Sequence, residues 1–432
     1  MGFEMFAQTI SLEQVRTLAL ANSRSLAKYN LAVTNTLLDE RSRIFATLPS
    51  LSLGANASMS LWNAQNAAPI ANPFNTFSSG VSVSVSQKIF EGGKTLIQKA
   101  INGIASESAR KDALAEYFNV LDSADNAYYA VLEAMAVLEA EESSLQTAVT
   151  SLSIAEVRRT TGMINQGDYL KAMSDKETRE NSRNQAKRNL TLNVMKLKAI
   201  TGLTNLPGLQ QIDFSGYEDL ISRLGSVSDT EADLLYGELW KTIASTNPSL
   251  AKSFLANQRA ENNLSMAKSA YLPTLSASLS AGLNYSLKDG MAPSGGKLSI
   301  NLSIPVDYWV IANNVEKSKI ARDSAALDYM SAEVNLGTDL QSALINVFTY
   351  AGSVINTTLS LAYSEKHFEF VMERYRLSQS SITDLNEAST LLINSRNGQI
   401  KARFGFLQSL SKLRSLGAFE DEEKLIGILM GN

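Results

Sequence analysis

The chain has no cysteine. That excludes disulfides, thiolate metal sites and acylation of an N-terminal cysteine within it. It has one histidine, His367, so imidazole catalysis and histidine metal ligation have almost no material. Proline is scarce, 8 in 432 residues, which leaves room for very long helices. No run approaches the roughly 20 apolar residues of a membrane-spanning helix. Nor is there a basic excess: 39 Lys and Arg stand against 43 Asp and Glu, a net charge of −4, so nothing calls for nucleic acid. No nucleophile with its base, phosphate loop or metal-ligand spacing assembles, so the chain does not read as an enzyme or as the holder of a cofactor or metal. Met1 to Gln8 reads either as the tail of an export signal or as an appended segment.

What is present is a duplication. Pro49 lies in Ala46-Thr47-Leu48-Pro49-Ser50-Leu51-Ser52, and Pro273 lies in Ala270-Tyr271-Leu272-Pro273-Thr274-Leu275-Ser276, at an offset of 273 − 49 = 224. At the same offset Ser25-Leu26-Ala27-Lys28 falls on Ser249-Leu250-Ala251-Lys252. So long a period describes two half-proteins and not a short-repeat solenoid. Each copy changes periodicity at its proline. Leu26, Leu31, Leu37, Leu38 and Ile44 have helical spacing, whereas Leu51, Leu53, Ala55, Ala57, Met59 and Leu61 alternate as in a strand. Proline ends a helix and pushes its predecessor into extended geometry, so Pro49 and Pro273 mark helix-to-strand hinges.

In order, the pattern predicts a helix from Ser11 to about Leu48 with a break at Asn22-Ser23, a strand over 51–61, a loop over 63–76 and a second strand over 80–90. Gly92 and Gly93 form a strand-to-helix hinge. A helix of about 67 residues follows, from Lys94 to Thr160, with apolar positions at Leu114, Phe118, Leu121, Tyr128, Leu132 and Met135 in coiled-coil spacing. At ~1.5 Å per residue it is a rod of ~100 Å. After a turn over 161–168 a second helix runs to Ile200 and stops at Gly202. The second copy predicts a helix over 230–272 interrupted at Asn247-Pro248, strands over 275–285 and 298–304 with a loop over 288–296 between them, and long helices over 310–377 and 384–416. Hence the expected domains: a first repeat over 11–202, a linker over 203–229, a second repeat over 230–417, and a tail over 418–432.

Strands of about ten residues suit a tilted membrane barrel. Four of them leave open edges that hydrocarbon does not tolerate, and membrane barrels start at about eight strands, so several chains must share one. Two would give eight strands and three would give twelve. The expected fold class is therefore a mixed α and β membrane protein: long antiparallel coiled-coil helices forming an α-helical barrel, plus a shared transmembrane β-barrel, in two tandem structural repeats.

The chain resembles the TolC-like outer-membrane efflux proteins over about residues 11 to 417. The resemblance rests on the duplicated Leu-Pro hinges, Ser86-Gln87-Lys88-Ile89-Phe90-Glu91-Gly92-Gly93, the turn holding Gly162 and Asp168, and Arg374-Tyr375-Arg376 before the second turn. It implies a homotrimer with a twelve-stranded barrel in outer-membrane lipid and a helical tunnel across the periplasm. It also implies docking on a periplasmic adaptor (membrane fusion) protein that links it to an inner-membrane pump, for efflux or type I secretion. The rival reading is a periplasm-spanning coiled-coil scaffold anchored at the outer membrane.

The resemblance also points to residues. Asp384 and Glu387 stand three apart after the second turn, on one helical face. In a three-fold assembly each becomes a carboxylate ring that selects cations at a tunnel constriction. The competing reading makes Asp384 a helix cap with Glu387 as its partner. Asp168 and Tyr375 are implied to join a gate network. Ser380 stands where a family arginine belongs, which leaves Arg374 or Arg376 to wire it. The two turns align at offset 378 − 162 = 216, and Gly162, Ile164, Asn165, Ser378, Ser380 and Ser381 are the expected tip and adaptor-docking residues. Trp309 fits an aromatic belt at the membrane interface. Substrate, pump and resting state are not legible.

Overall fold

The computed structural model describes residues 9–63, 68–70, 72–287 and 290–431. The helices are α1 (Leu12–Asn22), α2 (Arg24–Phe45), α3 (Lys94–Thr160), α4 (Gln166–Thr201), α5 (Glu218–Leu224), α6 (Asp229–Thr246), α7 (Pro248–Lys268), α8 (Tyr308–Arg376), α9 (Ile382–Gly417) and α10 (Glu422–Met430). The strands are β1 (Ser50–Ser58), β2 (Trp62–Asn63), β3 (Ala68–Pro69), β4 (Ser78–Glu91), β5 (Thr274–Ser286) and β6 (Gly290–Ser303). None of the described helices is long and apolar enough to cross a membrane. The segment expected as one loop over 63–76 holds the short β2–β3 pair and a 3-10 turn at Pro73–Thr76, and its remainder lies partly outside the described residues.

The chain divides into two compact units that cut across the two sequence repeats. One comprises residues 30–111 and 252–331 and holds the main sheet, antiparallel in the order β1-β4-β5-β6. Strand alternation gives this sheet two unlike faces. Leu51 pairs with Val85, Leu53 with Val83, Val85 with Leu279, and Leu279 with Leu298. On the other face Ser50 and Ser86 share a hydroxyl–hydroxyl hydrogen bond of 2.7 Å, as do Ser52 and Ser84, and Ser58 and Ser78 at 2.9 Å. Among the described residues nothing covers the apolar face: Leu53 is 75% exposed, Leu298 69% and Ile300 67%.

The last strand is longer than its sequence suggests. Residues 288–296 read as a loop because they hold Pro293 and three glycines, yet β6 begins at Gly290 and pairs with β5 up to Ser286. β6 ends the strand order, where a proline without N–H can be placed. The ladder skips Ser294, beside Gly295 at φ +72°, in an irregularity opposite Gly282 and Leu283. Lys288 and Asp289 lie outside the described residues.

The other unit comprises residues 9–29, 112–251 and 332–431 of the described chain. Its centre is an ionic cluster. Asp125, an apparent polar interruption of the α3 coiled-coil pattern, is 1% exposed and takes a two-pronged bond from Arg16, with Nε–Oδ1 at 2.6 Å and Nη2–Oδ2 at 2.7 Å. Arg414 of α9 adds a 3.7 Å contact, and Ser411 donates to Asp125 at 3.1 Å. Burial opposes the Arg16 charge, but the Asp125 hydrogen bond and charge outweigh it and raise the guanidinium pKa. One cluster thus pins α1 to α3 and α9.

Helix ends follow local chemistry. α6 starts on a capping box from Ser228 to Glu231, and Asn247 accepts from Leu250 N–H at 2.8 Å to restart the chain as α7. α4 stops at Gly202 in the left-handed region. α9 begins two residues before the expected Asp384, because Ser381 is its N-cap, and it runs to Gly417, with Ala418 as the left-handed cap at φ +50°. Gly417 is required for space: a Cβ there would lie 2.1 Å from the Phe419 ring.

Candidate functional site

The turns after α3 and α8 share one backbone. Gly162 and Ser378, equivalent at offset 216, both take positive φ, +74° and +63°. Met163 N–H reaches Arg158 O at 2.8 Å, and Gln379 N–H reaches Arg374 O at the same distance. Both turns therefore close by the paired bonds that end a helix on a left-handed residue. Asn165 caps α4 by accepting from Asp168 N–H, and Ser381 caps α9 by accepting from Asp384 N–H. Behind the turns Ala155, Ala172, Val371, Met372, Tyr375, Ile382, Leu385 and Ala388 form a buried core, with Ile164 partly buried against it.

Arg158 reaches from the first turn to the second. It is 7% exposed, stacks its guanidinium 4.5 Å over the Tyr375 ring and donates through Nη2 to the Tyr375 carbonyl. A cation at the carbonyl end of α8 also matches the helix dipole. It sits at the end of a stripe of small buried residues on α3, Ala148, Ser151 and Ala155, whose spacing continues to Arg158. Small residues bring the helices close, so a long side chain one turn on is covered. The sequence carried a signal for it, since offset 216 lays Arg158 over Arg374.

The expected wiring residues lie elsewhere. Arg374 is exposed, donates to Gln379 O at 3.0 Å and stacks on Phe370 at 5.6 Å. Arg376 pairs with Glu373 on its own helix at 2.9 Å. Tyr375 is 1% exposed, and among the described residues its hydroxyl has no hydrogen-bond partner. Burial raises its pKa, against the Arg158 charge, with Asp168 adding to the rise. Asp168 makes no hydrogen bond to Tyr375 and instead faces Lys171 at 3.8 Å.

Asp384 and Glu387 are both exposed on one side of α9. Asp384 accepts from Ser381 N–H at 3.0 Å and from Ser380 Oγ at 2.9 Å. These bonds, the Ser381 amide first, lower its carboxyl pKa. It is the third residue of the capping box headed by Ser381, so the capping partner is Ser381 and not Glu387. Glu387 lines an open cleft of about 520 Å³ with Lys171, Thr383, Asn386 and Thr390.

In the sheet-bearing unit the four expected hinge residues lie at junctions between helix and strand. Gly92 has φ +63°, and a Cβ there would fall 2.7 Å from Ser269 O, so no other residue fits without moving backbone. Gly93 follows at φ +78°. Pro49 and Pro273 each immediately precede a strand. Trp309 is 73% exposed beside Tyr308, which stacks on Tyr271.

Comparison with known proteins places this geometry. The family model described as "Outer membrane efflux protein" matches residues 15–203 and 239–417. The chain is 23% identical over 446 residues to outer membrane protein TolC of Escherichia coli (strain K12), covering 98% of this chain and 85% of that protein. Its fold is similar to the CmeC outer membrane channel of Campylobacter jejuni, with a TM-score of 0.77 at 18% identity over 96% of this chain and 88% of that one. It is also similar to the outer membrane protein VceC of Vibrio cholerae, with a TM-score of 0.75 at 15% identity over 94% and 96% of the two chains.

Proposed function

Because the chain belongs to the outer membrane efflux protein family, we propose that it is the outer-membrane conduit of an export system, a homotrimer in which three sheets close one twelve-stranded barrel. It is an outer-membrane protein of the channel type and not an enzyme. In the proposed assembly the long helices carry the path across the periplasm, and the tip turns meet a periplasmic adaptor coupled to an inner-membrane pump. The observation that carries the reading is the sheet. It exposes a continuous apolar face, it backs that face with serine, and its order ends in two edge strands, β1 and β6. Lipid covers such a face without cost, but it does not tolerate open edges, so copies must pair edge to edge. The similar fold of a Campylobacter jejuni outer membrane channel supports the same reading.

The tip turns are the proposed closed end. Arg158 supplies, from the first turn, the cation that the family pattern leads one to seek at Ser380 in the second. Asp168, half-buried beside Lys171, is the proposed electrostatic partner of the Tyr375 region. Asp384 and Glu387 are the proposed constriction rings, Trp309 an interfacial anchor, and Gly162, Ile164, Asn165, Ser378, Ser380 and Ser381 the surface that an adaptor would grip.

The test is single-channel recording of detergent-purified protein in a planar bilayer under a salt gradient. A small, cation-preferring conductance blocked by polyvalent cations is expected, with Asp384→Asn and Glu387→Gln together removing both the preference and the block. Unchanged selectivity in the double variant would take these residues out of the constriction. A silent bilayer from protein shown to be inserted would favour the scaffold reading.

A further inference from the structure

At the base of the sheet, within the sheet-bearing unit, the serine face ends in charge. Ser276 pairs with Lys88, which therefore lies on the serine face. Ile89 is then an extra residue: beyond it Phe90 pairs with Leu275, and Glu91 with Thr274. A one-residue bulge reverses the parity of everything after it. Here it returns Phe90 to the apolar face and brings Glu91 to the serine face, where it pairs with Lys88 at 2.7 Å. Without the bulge, Glu91 would point into the apolar side.

A cavity of about 460 Å³ opens beside this pair. Four cations line it, Arg43 from α2, Lys88 from β4, and Lys94 and Lys99 from α3, against two carboxylates, Glu40 and Glu91, so the lining carries 4 − 2 = +2. In a chain whose net charge is −4 this is a local reversal of sign. Glu91 is already engaged by Lys88 and by the Thr95 hydroxyl at 3.3 Å. Among the described residues Arg43, Lys94 and Lys99 form no ion pair. Ile44, Ala46, Leu96 and Met266 complete the lining with apolar surface, and Gln98 and Asn102 with amides. The size falls within that of small-molecule sites, and the mixture of cations over an apolar floor suits a ligand with an anionic head and an apolar body.

We propose that this cavity is a binding subsite for small amphipathic organic anions, carboxylates or sulfonates, at the point where the conduit enters the barrel. The inference rests on the channel reading, which makes the serine face the water-facing one. It names a substrate class for that channel: the path would be acidic at its tip and basic at the barrel entrance.

The test uses full-length protein in nonionic detergent and 1-pyrenesulfonate, followed by fluorescence anisotropy, beside the neutral 1-pyrenemethanol and the cationic 1-pyrenemethylammonium. The anion is expected to bind at least about tenfold more tightly than either isostere, and Arg43→Gln, Lys94→Gln and Lys99→Gln together are expected to abolish that difference, since the apolar contacts are equal and only the charge term differs. Lys88 and Glu91 stay in place, so the bulge is kept. Equal binding of the three probes, or an anion preference that survives the triple variant, would overturn the subsite. Competition separates the possible sources of anion. Displacement by 1-naphthoate supports a soluble ligand, whereas displacement only by short-chain phosphatidylglycerol would make the cavity a lipid site and overturn the proposal. Bilayer recordings on the same samples separate this inference from its premise. Conductance without anion preference removes the subsite and leaves the channel. Charge-dependent probe binding without conductance removes the channel and, with it, the subsite's role in transport.

Discussion

The turns after α3 and α8 have the same backbone and different side chains. Left-handed residues, closing hydrogen bonds and N-caps all recur at offset 216, so duplication preserved the turn. What changed is where the charge went. In the first turn a basic residue, Arg158, is turned inward onto Tyr375; its equivalent, Arg374, is exposed. In the second turn Ser380 and Ser381 fix Asp384 on an exposed helix face, while its equivalent, Asp168, is half-buried beside Lys171. The first turn therefore sends a cation onto α8, and the second exposes its carboxylate. A duplicated element can divide two tasks without altering its fold, because the turn is written in backbone conformation and the tasks in a few side chains.

This division can be broken unequally. Arg158→Ala should cost about 2 kcal/mol at the tip, from a lost charged hydrogen bond and cation–π contact, less the relief of a buried charge. Arg374→Ala should cost under about 0.5 kcal/mol, as exposed residues do. Hydrogen exchange over 150–175 and 370–390 would report both.

The left-handed positions predict opposite signs. Gly162→Ala should destabilise by about 1 kcal/mol, because alanine resists positive φ, whereas Ser378→Gly should stabilise by up to about 1 kcal/mol by relieving the same strain. Thermal unfolding in detergent checks the pair, and equal signs would contradict the shared geometry. Removing the caps, Asn165→Ala or Ser381→Ala, should each cost about 1 kcal/mol in the same assay.

Tyr375→Phe should change tip stability by less than about 0.5 kcal/mol, because its hydroxyl has no partner to lose. A large loss would show that the hydroxyl, and with it Asp168, carries the lock after all. The smallest effect is one of pH. The Asp384 carboxyl is held below its ordinary range, so its charge persists as pH falls through the usual aspartate range and disappears only below the lowered value. In a Glu387→Gln background, cation preference should therefore survive acidification through that range. Early loss would mean that Asp384 does not supply it.

Much of the fold was written in periodicity. The duplicated prolines marked both helix-to-strand hinges, and the 67-residue α3 could be bounded from its Gly-Gly entry and the Gly162 turn. β6 was shortened in that reading because Pro293 and its glycines look like a loop, and only pairing with β5 reveals a strand. At the tip, the acidic pair and the turn residues were visible, as was Tyr375. Arg158 was missed because its burial depends on α8 residues such as Val371, Met372 and Tyr375 packing with Ala155, a tertiary event that one helix's pattern does not contain. The bulge at Ile89 was hidden for a related reason: a change of strand parity shows only against a partner strand.

The central claim is that the first turn holds the tip and the second does not. Single-channel recording of Arg158→Ala beside Arg374→Ala, in the same bilayer and salt, tests it most directly. The account predicts an open probability at least roughly tenfold above wild type for Arg158→Ala, in keeping with about 2 kcal/mol, and wild-type behaviour for Arg374→Ala. Opening by Arg374→Ala with Arg158→Ala still closed would contradict it.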